Sequence, residues 1–169
     1  RRDRLDGAFA LVVWENKTTP ILTGNMMGVP KIYADIEDLH IVGDTYRTRL
    51  SYEGSTFLQL EMTGPAPLDE QHVRALAGDV NSFGWRYIPK VGAPGADLSQ
   101  PILFPMCSEP AAAWQGSGTV TWTGMTWDQN PMQFHIINAL AALPIIEMAP
   151  VVMTQGRAIL MEARGRVLS

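Results

Sequence analysis

Lysine is scarce in this chain of 169 residues: three lysines stand against ten arginines, and the 17 acidic residues outnumber both together. The resulting net charge of -4 and pI near 5.3 exclude nucleic-acid binding driven by a basic surface. Cysteine occurs once, at Cys107, so no internal disulfide can form, which permits a reducing compartment such as the cytoplasm. The three histidines, His40, His72 and His135, are spread along the chain with no metal-ligand spacing, and no metal is expected. An initiating methionine is also missing. The chain opens on Arg1 and is expected to be a fragment, a processed product or a truncated reading frame, with any amino-terminal targeting signal outside it. The longest apolar stretch, Phe134 to Met153, is interrupted by His135, Asn138, Pro144, Glu147 and Pro150, which argues for a buried segment rather than a membrane span.

What remains is a globular composition, with 46% apolar and 18% charged residues, enough for one domain over 1–169 with a substantial core. Ala8 to Trp14 is an unbroken apolar run that predicts a strand covered on both faces. Glu15-Asn16-Lys17-Thr18 reads as a polar turn with a solvated Lys17. Thr18 and Thr19 suit the cap of a short helix that Pro20 opens and Gly28 closes. Thr45 to Tyr52 and Thr56 to Met62 predict a hairpin around Glu53-Gly54-Ser55. That loop places Arg49 opposite Gln59 and Arg47 opposite Glu61 on a polar face, with Tyr46, Thr48 and Leu50 facing Met62, Leu60 and Leu58 on a core face. Arg47 and Glu61 read either as an exposed pair of small energetic value or as part of a barrel interior in which Arg47 or Arg49 receives a carboxylate. Asp69 to Ala77 predicts a helix that Gly78 stops. Strands follow over Phe83 to Ile88, Ile102 to Met106 and Trp114 to Thr126, then a helix from Phe134 to Pro144, and last strands over Ile145 to Met153 and Arg157 to Ala163. Cys107 reads as a small core residue. About eight short strands with two or three short helices indicate a mostly antiparallel β or α+β domain.

One lysine sits in an unusual setting. Lys31 is embedded among Met26, Met27, Val29, Ile32 and Tyr33, and Pro30 forces Val29 to be extended, so Lys31 opens a strand on a stiff turn. Burial disfavours an ammonium, and a neutral amine attacks ketones and aldehydes to give an imine that withdraws electrons from a neighbouring bond. A pKa depression of about 3 units needs about 4 kcal/mol from the environment. Spacing alone also suits a lysine whose stem covers apolar surface while its head reaches water. Pro89-Lys90-Val91 has the same letters as Pro30-Lys31-Ile32 in outline, but Gly92, Pro94 and Gly95 place it on an exposed loop.

The segment Thr23-Gly24-Asn25-Met26-Met27-Gly28-Val29-Pro30-Lys31-Ile32-Tyr33-Ala34-Asp35 resembles the Gly-Arg-Glu-Leu-x-Gly-aromatic-Pro-Lys-Lys-x-Ala segment of the acetoacetate decarboxylase family. The likeness continues through Phe83-Gly84-Trp85-Arg86-Tyr87-Ile88-Pro89, Ala113-Trp114-Gln115-Gly116 and the run from His135 to Ile145. It implies a fold of mostly antiparallel β, a cone-like barrel or sandwich with a few short helices at its margins, assembled into homo-oligomers. It also implies Lys31 as the Schiff-base nucleophile of a lyase acting on a small β-keto acid or related oxo acid, with no cofactor. The family is itself the established example of a lysine activated by desolvation or a neighbouring cation. By the same resemblance His135 and Ile137 lie near the substrate pocket, where Val13 and Met27 are also expected, although His135 equally suits a hydrogen-bonded, partly buried histidine.

The departures narrow the expectation. Ile32 replaces the second lysine, so activation falls to burial, and Gly24 and Asn25 replace an Arg-Glu pair. The family's catalytic glutamates and an arginine lie upstream of the region present here. Three alternatives follow: a divergent aldolase or dehydratase of the same superfamily, a non-catalytic small-ligand-binding member, or a site completed by a second chain.

Overall fold

A computed structural model describes residues 4–168. The chain divides into two compact units, one holding the residues up to Tyr33, Glu70–Ala111 and the residues from Gln155 on, the other Ala34–Asp69 and Ala112–Thr154.

In the first unit the apolar run expected as one strand forms two, β1 (Ala8–Phe9) and β2 (Val13–Glu15). The reason is a change of partner. Ala8 and Phe9 pair in parallel with Ser82 and Phe83, whereas Val13, Trp14 and Glu15 pair in parallel with Lys31, Ile32 and Tyr33. Phe9 and Leu11 are exposed, so the run is not covered on both faces. Helix α1 (Thr18–Met27) is entered from an extended Lys17, with no side-chain cap. Thr18 and Thr19 lie inside it rather than before it, and Pro20 is tolerated in a first turn whose N–H groups lack intrahelical acceptors. Its end matches the expectation. Gly28 takes φ 88°, its N–H donates to Asn25 O, and the Val29 N–H donates to Gly24 O. Strand β3 (Lys31–Tyr33) follows at once.

The second unit takes β4 (Asp35–Ile36) and β5 (His40–Val42) onto β6 (Thr45–Tyr52), which forms a hairpin with β7 (Ser55–Pro67). The expected facing pairs are present: Arg49 with Gln59, Arg47 with Glu61, Tyr46 with Met62, Thr48 with Leu60 and Leu50 with Leu58. The turn is shorter than expected, because Tyr52 pairs with Ser55 across Glu53 and Gly54, both at positive φ. A register shift between Leu50 and Ser51 takes up the extra residue on β7 and restores the facing pairs.

Helix α2 (Glu70–Ala75) leads back to the first unit through β8 (Gly78–Val80), and β9 (Ser82–Pro89) and β10 (Ala96–Leu103) form an antiparallel hairpin. The strand expected over Ile102 to Met106 breaks at Phe104 and Pro105. Beyond the break, β11 (Met106–Trp122) pairs with β8 at its start and antiparallel with β7 further on. Helix α3 (Phe134–Ala141) lies where expected. Residues 145–150, bracketed by Pro144 and Pro150, form no strand, and β12 (Val151–Leu160) runs straight through Gly156. A Cβ at Gly156 would lie 2.3 Å from Glu109 O, so the glycine allows two backbones to approach rather than breaking the strand. A short 3-10 turn (Glu162–Arg164) and β13 (Arg166–Val167), paired with β10, close the described chain.

The core of the first unit centres on Val29, Ile102 and Phe104, with Ala10 and Val13 packed against them. In the second unit Phe57 and Ile137 are fully buried, as is Asn130, whose Oδ1 accepts the Gln133 N–H. Among the described residues no helix is long and apolar enough to cross a membrane.

Candidate active site

Lys31 is held from three sides. Its backbone is bracketed by one side chain: Asn25 Nδ2 donates to Lys31 O at 2.9 Å, and the Lys31 N–H donates to Asn25 Oδ1 at 3.1 Å. This amide does for Lys31 what a neighbouring strand would do. The Lys31 N–H also reaches Val29 O at 2.8 Å across Pro30, which stiffens the turn. Gly24, buried in α1, lies against the lysine stem, where a Cβ would stand 2.6 Å from Cδ and 3.0 Å from Cε and Cγ. Along a strand alternate side chains share a face, so Val13 and Glu15 project together on β2 while their parallel partners Lys31 and Tyr33 do so on β3. The Lys31 ammonium consequently meets a carboxylate, with Nζ 3.5 Å from Glu15 Oε2 and the two side chains 21% and 24% exposed. Glu15 was hidden in the sequence because it reads as part of a polar turn. Only the parallel register with β3, which no local pattern specifies, brings it to the lysine.

The other expected pocket residues are distributed. Val13 pairs with Lys31 and packs on the core of the first unit. Met27 lines a cavity of about 400 Å³ with Arg86, Ile102 and Phe104, and Lys31 is not in its wall. His135 and Ile137 belong to the second unit. Ile137 is fully buried, and His135 is exposed rather than partly buried, with its ring edge-on to Phe134 at 5.6 Å between centroids. Lys17 and Lys90 are both exposed, as expected of them.

Arg49 donates to Gln59 Oε1 at 3.0 Å. Arg47 stands opposite Glu61 but is half-buried rather than exposed, and its Nε is buried without an acceptor among the described residues. The reading of Arg47 and Glu61 as an exposed pair therefore gives way to a shielded arginine. Cys107 is a half-buried strand residue whose thiol is pushed up by burial and by donating to Asp79, so it is not poised as a nucleophile. Asp79 in turn is held below the usual carboxylate range, chiefly by a hydrogen bond from Arg164. No group of three or more His, Cys, Asp or Glu among the described residues is placed to hold a metal.

Antiparallel β with few helices in this arrangement is the fold of solved acetoacetate decarboxylases. One acetoacetate decarboxylase structure superposes with a TM-score of 0.72 at 15% identity, covering 96% of this chain and 62% of its own. The acetoacetate decarboxylase of Legionella pneumophila gives 0.72 at 19%, covering 96% and 60%. The enduracididine biosynthesis enzyme MppR, complexed with pyruvate, gives 0.62 at 19%, covering 94% and 58%. At these identities the likeness is one of fold. The sequence model of acetoacetate decarboxylase matches residues 1–157, and the chain belongs to that family. It spans about 60% of the length of these solved relatives. No curated protein sequence matches it.

Proposed function

We propose that this chain carries the Schiff-base site of a lyase of the acetoacetate decarboxylase type, with Lys31 as the nucleophile and a small β-keto acid or related oxo acid as substrate. The observation that carries the reading is the constrained pair of Lys31 and Glu15: an amine held at backbone and stem, mostly shielded from water, with a carboxylate 3.5 Å away. An amine must give up a proton before it attacks a carbonyl, and a carboxylate in direct reach can take it. The amine then adds to the carbonyl carbon and water leaves. The protonated imine receives the electron pair of the bond to the departing carboxylate, carbon dioxide leaves, the resulting enamine takes a proton from solvent at carbon, and hydrolysis of the restored imine frees the lysine. Ile32 follows on the opposite face of β3, so the groups that manage the proton are those on Lys31's own face. An oxo acid is also what MppR, of the same fold, is described as holding.

The test is incubation with acetoacetate or pyruvate, borohydride reduction and mass spectrometry of tryptic peptides. The reading expects an adduct on the Lys31 peptide that is absent from Lys31→Ala, and labelling of Lys17 and Lys90 at the same rate overturns it. Release of carbon dioxide from acetoacetate selects decarboxylation, whereas trapping without release selects aldol or dehydration chemistry. Glu15→Gln separates two roles. If Glu15 carries the proton, trapping slows by ~100-fold; if it only pairs with the ammonium, its loss frees the amine and trapping speeds up.

A further inference from the structure

The 400 Å³ cavity lies wholly within the first unit, and Met26, Met27, Ile102, Phe104 and Val167 give it apolar walls. Two cationic side chains, Arg86 and the exposed Arg166, break that surface. Arg86 lines the cavity, and its Nε is buried with no hydrogen-bond acceptor among the described residues. A buried donor left unpaired is costly, and more so on a charged group. The sheet does not supply a counterion: the residue directly across from Arg86 is Gln100, a neutral amide that also lines the cavity. Nor is Arg86 free to move its backbone away. It is wedged against the end of α1, where a Cβ on Gly28 would come within 2.9 Å of Arg86 N, Cα and Cβ.

An arginine whose backbone is fixed and whose Nε lacks an acceptor among the described residues, set among apolar walls, has the recognition chemistry of a carboxylate with a hydrocarbon body. Glu162 also lines the cavity and offsets one of the two arginines, leaving a single net positive charge, so the match is to a monocarboxylate rather than a phosphate dianion. We infer that this cavity is a binding site for a small apolar monocarboxylate, with Arg86 receiving the carboxylate. The inference does not depend on the Schiff-base reading, since neither Lys31 nor Glu15 lines the cavity.

The experiment uses the protein with 13C-labelled methionine methyls, titrated with octanoate and, separately, with octanol and octylamine. Saturable shifts of the Met26 and Met27 methyls with octanoate, at least tenfold tighter than with octanol and absent with octylamine, are expected. Arg86→Met weakens octanoate binding by about tenfold or more, Val167→Trp abolishes it by filling the cavity, and Lys31→Ala leaves it unchanged. Circular dichroism melts establish that each variant is folded. Absence of saturable octanoate binding to the wild type overturns the inference, as does equal affinity for octanol, or wild-type affinity in both folded Arg86→Met and folded Val167→Trp.

Discussion

Gly24→Ala separates the packing of the Lys31 stem from the stability of the helix beneath it. Replacing a mid-helix glycine by alanine favours the folded state by roughly 0.5–1 kcal/mol. The new Cβ would stand 2.6 Å from Lys31 Cδ, so the stem must retreat by about 0.8 Å to reach ordinary contact at 3.4 Å. Moving a flexible side chain that far costs about 0.5–1.5 kcal/mol in a distorted rotamer. The two effects nearly cancel, and for a chain of this length the melting temperature changes by no more than about 4 °C. Reactivity has no such compensation. The contact between Nζ and Glu15 is already 3.5 Å long, and a shift of the stem breaks it. A misplacement near 1 Å at a reacting group can cost about 100-fold, and a loss of about 10- to 100-fold in imine trapping is expected. The assay compares borohydride trapping rates and thermal melts of wild type and Gly24→Ala. Trapping within twofold of wild type, with the fold intact, would refute the claim that this contact positions the amine.

Asn25→Ala removes both hydrogen bonds that bracket Lys31, which costs about 1–3 kcal/mol and on the order of 5 °C in melting temperature, with faster hydrogen exchange at the Lys31 amide as the local signature. Gly28→Ala combines a side chain at φ 88° with a Cβ 2.9 Å from the Arg86 backbone, and urea unfolding is expected to register a loss of about 3 kcal/mol. Because Arg164 depresses the Asp79 carboxyl, the stability it contributes is present above the ordinary carboxylate value and lost as pH falls through the depressed folded value. Arg164→Gln is therefore less stable than wild type near neutrality, and the difference closes in acid; a difference that persists unchanged at low pH contradicts this. Cys107, raised by burial and by Asp79, reacts with iodoacetamide only at higher pH than a free thiol, and Asp79→Asn moves its profile down.

The fold was legible where the pattern is local. The β6–β7 hairpin shows why register survives a mistaken turn: the core side of Tyr46, Thr48 and Leu50 must meet Met62, Leu60 and Leu58, and a bulge absorbs the residue that the shorter turn leaves over. Gly28 was readable as a helix stop because only backbone freedom is at issue. Elsewhere the decisive fact lay far along the chain. Ala8 to Trp14 divides because its two halves pair with segments about fifty residues apart, Phe83 and Ile32, and Gly156 stays in a strand because Glu109 passes close to it.

The same distinction explains the site. Gly24 and Asn25 registered in the sequence only as two missing charges, but their positions give them work that charged residues of that size would not do. Gly24 leaves room for the stem, and Asn25, short enough to reach back, supplies a donor and an acceptor to the Lys31 backbone. The chain uses this device twice: in the second unit Asn138 Nδ2 donates to Met125 O at 2.8 Å while its Oδ1 accepts the Met125 N–H at 2.9 Å. Met125 is 4% exposed and could be held by packing alone. On the proposed function Lys31 cannot, because its amine would have to keep contact both with Glu15 and with a substrate arriving from water. A side-chain bracket on the backbone fixes the root of the lysine while leaving its side chain 21% exposed, a combination that suits the reactive amine proposed above on a three-residue strand.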